Sequence, residues 1–409
     1  MMRVSVSLAG LLFATAAAAA DEPALPWGST PSAAAAYARA DAIANLGRQL
    51  FFDPALSASG RTACATCHDP AHAFSAPNRL PVQFAGPDLH RPGNRAVPSL
   101  MYGQSVPPFS EHFFEAEDEG DESVDQGPTG GRDWDGRVDR ARDQAALPLL
   151  NSNEMANASV RMVVAAAAEA AYADDVRHLY GRDIFADPPR AFAALTEALE
   201  YYQETPATFS PFSSKYDAVL RGRASLTSQE ARGLATFNDP AKGNCALCHK
   251  STVTKDGAPP LFTDFGYAAL GIPRNKAIPA NDNPAWFDLG LCGPERRDLA
   301  EHADYCGMFK TPTLRNVALK ESFYHNGIVH SLRDAVAFYA TRDTDPEKWY
   351  PKGPDGAVRK FDDLPPAYAG NVNMERPFGG ERVLSDADVD DLVAFLRTLT
   401  DGYADAQSP

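Results

Sequence analysis

Basic residues are scarce in this 409-residue chain: 38 lysines and arginines stand against 54 acidic residues, a formal charge of −16. An excess of that sign repels phosphate backbones, so nucleic acid is not an expected partner. Long apolar runs are missing too. The most apolar stretch, in MMRVSVSLAGLLFATAAAAADE, follows one early positive charge at Arg3 and ends in small residues near Ala20. It stops well short of the roughly 20 apolar residues that cross a bilayer. Residues 1–20 therefore read as a cleaved secretory signal rather than a retained anchor, and no membrane span is expected. Strand signals are sparse, and 33 prolines predict long irregular connections. What remains is the composition of a soluble globular protein long enough for two domains, each with its own core.

Cysteines number only six, and four of them sit in two Cys-x-x-Cys-His units. The other two, Cys292 and Cys306, flank a segment rich in charge and turn formers. Export makes a disulfide between them the expectation, against the alternative of two independent buried thiols. The acidic excess is concentrated in EHFFEAEDEGDESVD, from Glu111 to Asp125. It reads as a solvated loop rather than a docking patch for a basic partner.

The chain contains one pattern twice: a helix, a loop, then Cys-x-x-Cys-His. In AYARADAIANLGRQLFFD, Ile43, Leu46 and Leu50 mark one apolar face. In LTSQEARGLATFNDPAKGNCALCH, Thr227 and Glu230 form a capping box, with Leu234 and Phe237 before Cys245. A further helix closes each copy, AFAALTEALEYYQETP in the first and SDADVDDLVAFLRTLTDG in the second, where Val389, Leu392, Val393 and Leu396 form an apolar stripe. The stretch from Thr205 to Ser228 reads as the connection. The expected fold is mainly α, two tandem class I cytochrome c-like domains over 21–205 and 206–409 with their haems facing a shared interface.

Cys64-Ala-Thr-Cys67-His68 and Cys245-Ala-Leu-Cys248-His249 have the spacing at which two thiols form thioethers to haem vinyl groups and the next histidine ligates iron. A thioredoxin-like redox pair would need a surrounding βαβ pattern, and a zinc site further paired cysteines; neither is present. Two covalently attached haem c groups are expected. Their function depends on the opposite face of each iron, since an open position permits chemistry and a filled one favours electron transfer.

LFFDPALSASGRTACATCHDPAHAFS, DWDGRVDRARDQAALPLLNSNEM, SPFSSKYDAVLRGRASLTSQEARGLATFNDPAKGNCALCH and GMFKTPTLRNVALKESFYHNGIVHSLRDAVAFY occur in that order. Together they resemble the bacterial di-haem cytochrome c peroxidase and MauG family, over about residues 45 to 400. The resemblance implies a periplasmic enzyme that reacts with hydrogen peroxide. It implies that Trp134, in the WDGR motif, lies between the haems and relays oxidising equivalents. Gln144, Pro148 and Glu154 match the family's distal pocket. There a carboxylate can move the proton from the inner to the outer oxygen of bound peroxide.

Two positions refine the resemblance. Some members place a histidine sixteen residues after the first haem histidine, which blocks the iron until the other haem is reduced; here that position is Phe84, which cannot ligate. His72 and His90 remain as nearby alternatives. In the peroxidases the second haem takes a methionine fourteen residues after the histidine of a Tyr-x-His-x-Gly motif. Counting from His325 gives Tyr339, on a helix opening with Ser331 and Asp334 and carrying Leu332, Val336 and Tyr339 on one face. A phenolate is hard and anionic where a thioether is soft, and tyrosine ligation resembles MauG rather than the peroxidases. Met308 and Met374 are the rival ligands.

The family also holds a calcium ion between its haems, which maps onto Asn94 and the carbonyls of Lys320 and Ser322; the segment ESFYH departs from the usual pattern there. The resemblance thus implies a MauG-like enzyme in which the haems share two oxidising equivalents across Trp134 and oxidise a protein substrate or other bulky reductant. Trp286 and Trp349 are candidates to extend the relay outward. The alternative is an ordinary peroxidase fed by a small cytochrome or copper protein, and a further one is a non-catalytic electron carrier.

Overall fold

The computed structural model describes residues 32–114 and 124–404. The expected leader, and residues 115–123 of the acidic stretch, lie outside the described residues.

The structure is mainly helical and repeats one arrangement. Helix α1 (Ala33–Phe51) starts on Ser32, whose hydroxyl accepts from Ala35 N, and buries Ile43, Leu46 and Leu50 as the periodicity predicts. It crosses α5 (Pro188–Gln203), the closing helix of the first half. Between them in the chain come α2 (Ala141–Leu150), α3 (Val160–Glu169) and α4 (Ala173–Tyr180). In the second half α6 (Ser228–Asn238) opens with the Thr227/Glu230 capping box and crosses α8 (Asp386–Arg397), which is capped by Ser385 and Asp388. Helix α7 (Leu332–Thr341) also packs on α8.

Both crossings are closer than ordinary side chains allow. A Cβ on Gly47 of α1 would stand 1.8 Å from the Ala198 carbonyl oxygen of α5, and one on Gly233 of α6 would stand 2.0 Å from that of Asp391 in α8. Four residues on from each glycine comes a buried phenylalanine, Phe51 or Phe237. Phe51 meets Phe74 edge-on with ring centroids 5.8 Å apart, and Phe237 meets Phe262 at 6.0 Å. These contacts belong to two separate apolar clusters, one built from residues 43–209 and the other from 216–399.

Among the described residues, regular strands are confined to two short antiparallel pairs, β1 (Phe84–Ala85) with β2 (Arg91–Pro92) and β3 (Tyr267–Ala268) with β4 (Phe309–Lys310). Most of the remaining chain is loop, held by buried ion pairs. Arg315, fully buried, donates to both oxygens of Asp217 at 2.9 and 3.0 Å and to the Pro260 carbonyl. Such a pair fixes loop geometry because breaking it strands a charge away from water. Cys292 and Cys306 are joined in a disulfide, their Cα atoms 5.0 Å apart.

Candidate functional site

One cavity of about 550 Å³ runs through the molecule and is lined from both halves, by Cys67 and His68 at one end and Cys245, Cys248, His249 and Tyr339 at the other. Each Cys-x-x-Cys unit forms a single helical turn, Cys64–Cys67 and Cys245–Leu247, which brings its cysteines and the following histidine close together. His68 Nδ1 lies 2.9 Å from the Phe74 carbonyl and His249 Nδ1 lies 2.8 Å from that of Phe262. A carbonyl only accepts, so each Nδ1 carries the proton and each Nε2 keeps a lone pair for a metal. Burial pulls both imidazoles down to about 4, so they are neutral at any working pH.

Both carbonyls come from phenylalanines in the left-handed backbone region, with φ of 52° at Phe74 and 55° at Phe262. The sequence reading missed them. Phe74 is six residues after its histidine and Phe262 thirteen, so no shared spacing announces the pair.

At the His68 end the wall is α2. Gln144, Leu147, Pro148 and Asn151 line the cavity at i, i+3, i+4 and i+7, while Ala141, Ala145 and Leu149 are buried on other faces. The turn that follows is held by Asn157, whose amide donates to the carbonyls of Leu56 and Leu149, and by Glu154 N bonding to the Asn151 carbonyl. Glu154 thereby faces the cavity, its Oε1 accepting from Asn151 Nδ2 at 2.7 Å. Desolvation, reinforced by the Asp133 charge and opposed by Arg137 and by the Asn151 hydrogen bond, pushes its carboxyl up to about 7. A carboxyl poised there can both take and return a proton near neutrality. Asp133, another residue the sequence reading did not single out, accepts from Gln144 Nε2 at 3.3 Å and holds a positive φ of 63°.

Trp134 also lines the cavity. It is buried, and its indole Nε1 donates to the Ala96 carbonyl at 2.8 Å. Its own carbonyl accepts from Lys310 N, and Ala96 N donates to the carbonyl of His325, so the tryptophan is clamped between the two halves of the chain. Arg95 completes the clamp, gripping Asp288 at 2.6 and 2.7 Å and Asp135 at 2.7 Å.

At the His249 end the wall is α7. Ser331 caps it, accepting from Asp334 N, and Leu332, Ala335, Val336 and Tyr339 face the cavity at i, i+3, i+4 and i+7. The apolar stripe thus carries Tyr339 inward. Burial raises its phenol above the ordinary range, with the two cysteines adding to the rise and Arg342 opposing it. Neither rival methionine lines the cavity: Met308 packs beside Leu291 and Tyr305, and Met374 is half exposed. Phe84 is exposed on β1, His72 is paired to Asp69 at 2.7 Å, and His90 is exposed; none of the three faces the cavity. Trp286 and Trp349 also stand outside it, Trp349 packing edge-on against Phe338.

The four motif cysteines form no disulfide with one another, and burial pushes each thiol up to about 12. Among the described residues no group of three or more His, Cys, Asp or Glu is arranged to hold a metal by itself. Buried cysteine pairs outside any disulfide, imidazoles whose Nδ1 is fixed on a carbonyl, and one large cavity lined from both motifs fit two covalently attached haem c groups. Of the residues matched to calcium, Asn94 donates to Glu295 at 3.1 Å, Lys320 has a buried ammonium pulled down to about 8, and Ser322 is buried.

The chain belongs to the MauG and di-haem cytochrome c peroxidase family and is a peroxidase-type oxidoreductase, whose family membership implies two haem c cofactors. A family profile described as di-haem cytochrome c peroxidase matches residues 41–225. The methylamine utilization protein MauG of Paracoccus denitrificans is 38% identical over 371 residues, covering 88% of this chain and 89% of that protein. The cytochrome c551 peroxidase of Pseudomonas aeruginosa is 28% identical over 294 residues, covering 71% and 70%. In three dimensions the diheme peroxidase BthA from Burkholderia thailandensis superposes with a TM-score of 0.76 at 42% identity, over 88% of this chain and 86% of that one.

Proposed function

We propose that this protein is a MauG-like, hydrogen-peroxide-dependent oxidoreductase of the periplasm, built from two cytochrome c-like halves divided near residues 205–206, that oxidises a protein or other bulky reductant through Trp134. The observation that carries the reading is Tyr339, brought by the apolar stripe of α7 to the cavity end that holds His249, where the peroxidases use a methionine.

Cys64, Cys67 and His68 would hold one haem and Cys245, Cys248, His249 and Tyr339 the other. When bound, the haems supply the iron that takes peroxide and stores its two oxidising equivalents. The residues of this chain do the rest. Glu154 accepts the proton of the inner peroxide oxygen and delivers it to the outer one, which leaves as water. Gln144 and Pro148 shape the space beside it and exclude solvent. Trp134, held by the Ala96 carbonyl at a fixed orientation, passes electrons between the two ends. Phe84 leaves the His68 end without a blocking ligand, so the resting protein reacts with peroxide without prior reduction. A calcium ion at Asn94 and the carbonyls of Lys320 and Ser322 would brace the same region. Support comes from the bond of Lys320 Nζ to the Val97 carbonyl, which lays the 320s segment against residues 94–97.

The test is to mix the fully oxidised holoprotein with one equivalent of peroxide and record its haem spectra, alongside magnetic spectra of the resting state. Rapid reaction at the His68 haem and a phenolate signature at the other are expected. A requirement for prior reduction, or histidine–methionine coordination at rest, would replace this reading with the ordinary peroxidase.

A further inference from the structure

We propose that Arg342, acting with Asp343, pins Met374 outside the cavity and thereby decides that Tyr339, not a thioether, is presented to the metal at the His249 end. The inference rests on the reading of Tyr339 as a ligand and adds what selects it.

Tyr339 and Arg342 lie three residues apart on the side of α7 that faces the segment 373–379. The Arg342 side chain is fully buried and each of its three nitrogens has an acceptor, Nε reaching Asp343 at 3.1 Å. Nη1 donates to the Leu270 carbonyl at 3.0 Å, and Nη2 reaches the Asn373 carbonyl at 2.9 Å and the Met374 sulfur at 3.2 Å. Asp343 takes Arg342 Nη2 at 2.6 Å and also accepts from Gly379 N at 3.1 Å. The Arg–Asp pair therefore bolts the segment at both ends, at Asn373 and at Gly379, with Met374 between the bolts. A third tie, Asn373 N to the Ala269 carbonyl at 2.8 Å, fixes the same end.

The inward place is taken by Phe378. Its ring carries the Arg342 guanidinium at 3.6 Å and stacks on Tyr339 with centroids 5.2 Å apart and planes 25° from parallel. Phe378 lines the cavity and Met374 does not. For the thioether to reach the metal, Phe378 would have to leave and a buried guanidinium would lose its carbonyl and sulfur partners together, an arrangement that buried charge strongly disfavours. A soft thioether and a hard phenolate set very different haem potentials, so the choice governs how oxidising the site is. Arg342 is thus a positioning residue that acts through Phe378 and Met374 rather than on any reactant.

The experiment is near-infrared magnetic circular dichroism of holoprotein variants, read for the thioether-to-ferric charge-transfer band and paired with the potential of the second haem. Tyr339→Phe is expected to lose the phenolate signature without gaining the thioether band, and adding Met374→Leu should change nothing further. Releasing the bolt in that background, with Arg342→Gln or the milder Asp343→Asn, should bring the band in and raise the potential, and Met374→Leu should then remove both. A thioether band in Tyr339→Phe alone overturns the proposal. So does its absence from every released variant that retains two haems. If instead the wild-type protein shows a thioether band that survives Met374→Leu, the reading of Tyr339 as ligand fails while the pinning of Met374 stands.

Discussion

At the His68 end and at the His249 end, a ten-residue helix, with its C-cap Asn151 in the first case, lays four side chains along the cavity at i, i+3, i+4 and i+7, yet the stripes finish in different chemistry. The first finishes on Asn151 and hands on to Glu154, a carboxyl balanced near neutrality. The second finishes on Tyr339, which lines the cavity. The histidine anchoring is the same in both, a carbonyl of a positive-φ phenylalanine packed on the helix before the motif. One architecture used twice therefore presents two different groups to the cavity, a carboxyl at one end and a phenol at the other, which suits the proton-carrier and ligand roles proposed for them.

The largest expected effect breaks the symmetry at its chemical end. Glu154→Gln should leave both haems attached and slow the reaction with peroxide by about 10²-fold or more, the scale of general acid/base catalysis; stopped-flow absorbance measures it. Unchanged kinetics would remove Glu154 from the mechanism. Tyr339→Phe should leave that first step nearly intact and alter only the spectrum and potential of the other haem.

The second prediction tests whether the two halves are equally dependent on their close helix crossings. Gly47→Ala and Gly233→Ala each force a Cβ onto a backbone carbonyl, and each should cost about 1–3 kcal/mol, as overpacking does. Thermal melts of the holoprotein check this. A cost confined to one variant would show that the repeated crossings are not equivalent in energy.

The third follows from the acidity of Glu154. The group must be unprotonated to accept the peroxide proton, and burial holds it up to about 7. The rate should therefore fall about tenfold per pH unit below that point and level off above it. The inflection should be absent from Glu154→Gln. A flat profile between pH 5 and 8 in the native protein would contradict the assignment.

The smallest effect sharpens the cause of that acidity. Asp133 adds its charge to the desolvation of Glu154, and Arg137 and the Asn151 amide act the other way. Asp133→Asn should move the inflection to lower pH and Asn151→Ala should move it to higher pH, each without loss of haem. Both shifts are readable from the same pH series.

The linear sequence was enough for everything that depends on local spacing. Two Cys-x-x-Cys-His units pointed to two haem c groups, which membership of the di-haem family also implies, because the thiols and the imidazole must come from one turn. The helices that lead to and close each unit were legible because an apolar stripe with a capping serine or threonine is a short-range pattern, as at Thr227 and Ser385. That Tyr339 lies on the cavity side of its helix was legible by counting, since a ten-residue helix transmits register faithfully. Only the tertiary structure decided the rest. Phe74 and Phe262, at unequal distances from their histidines, converge on the same role because backbone position, not residue type, supplies the carbonyl. The acidity of Glu154 depends on how deeply a turn is buried and on the charge of Asp133, twenty-one residues earlier. Met374 looked like a rival ligand in sequence and is held aside by Arg342 and Asp343, because a buried ion pair acts through space on whatever segment the fold lays beside it.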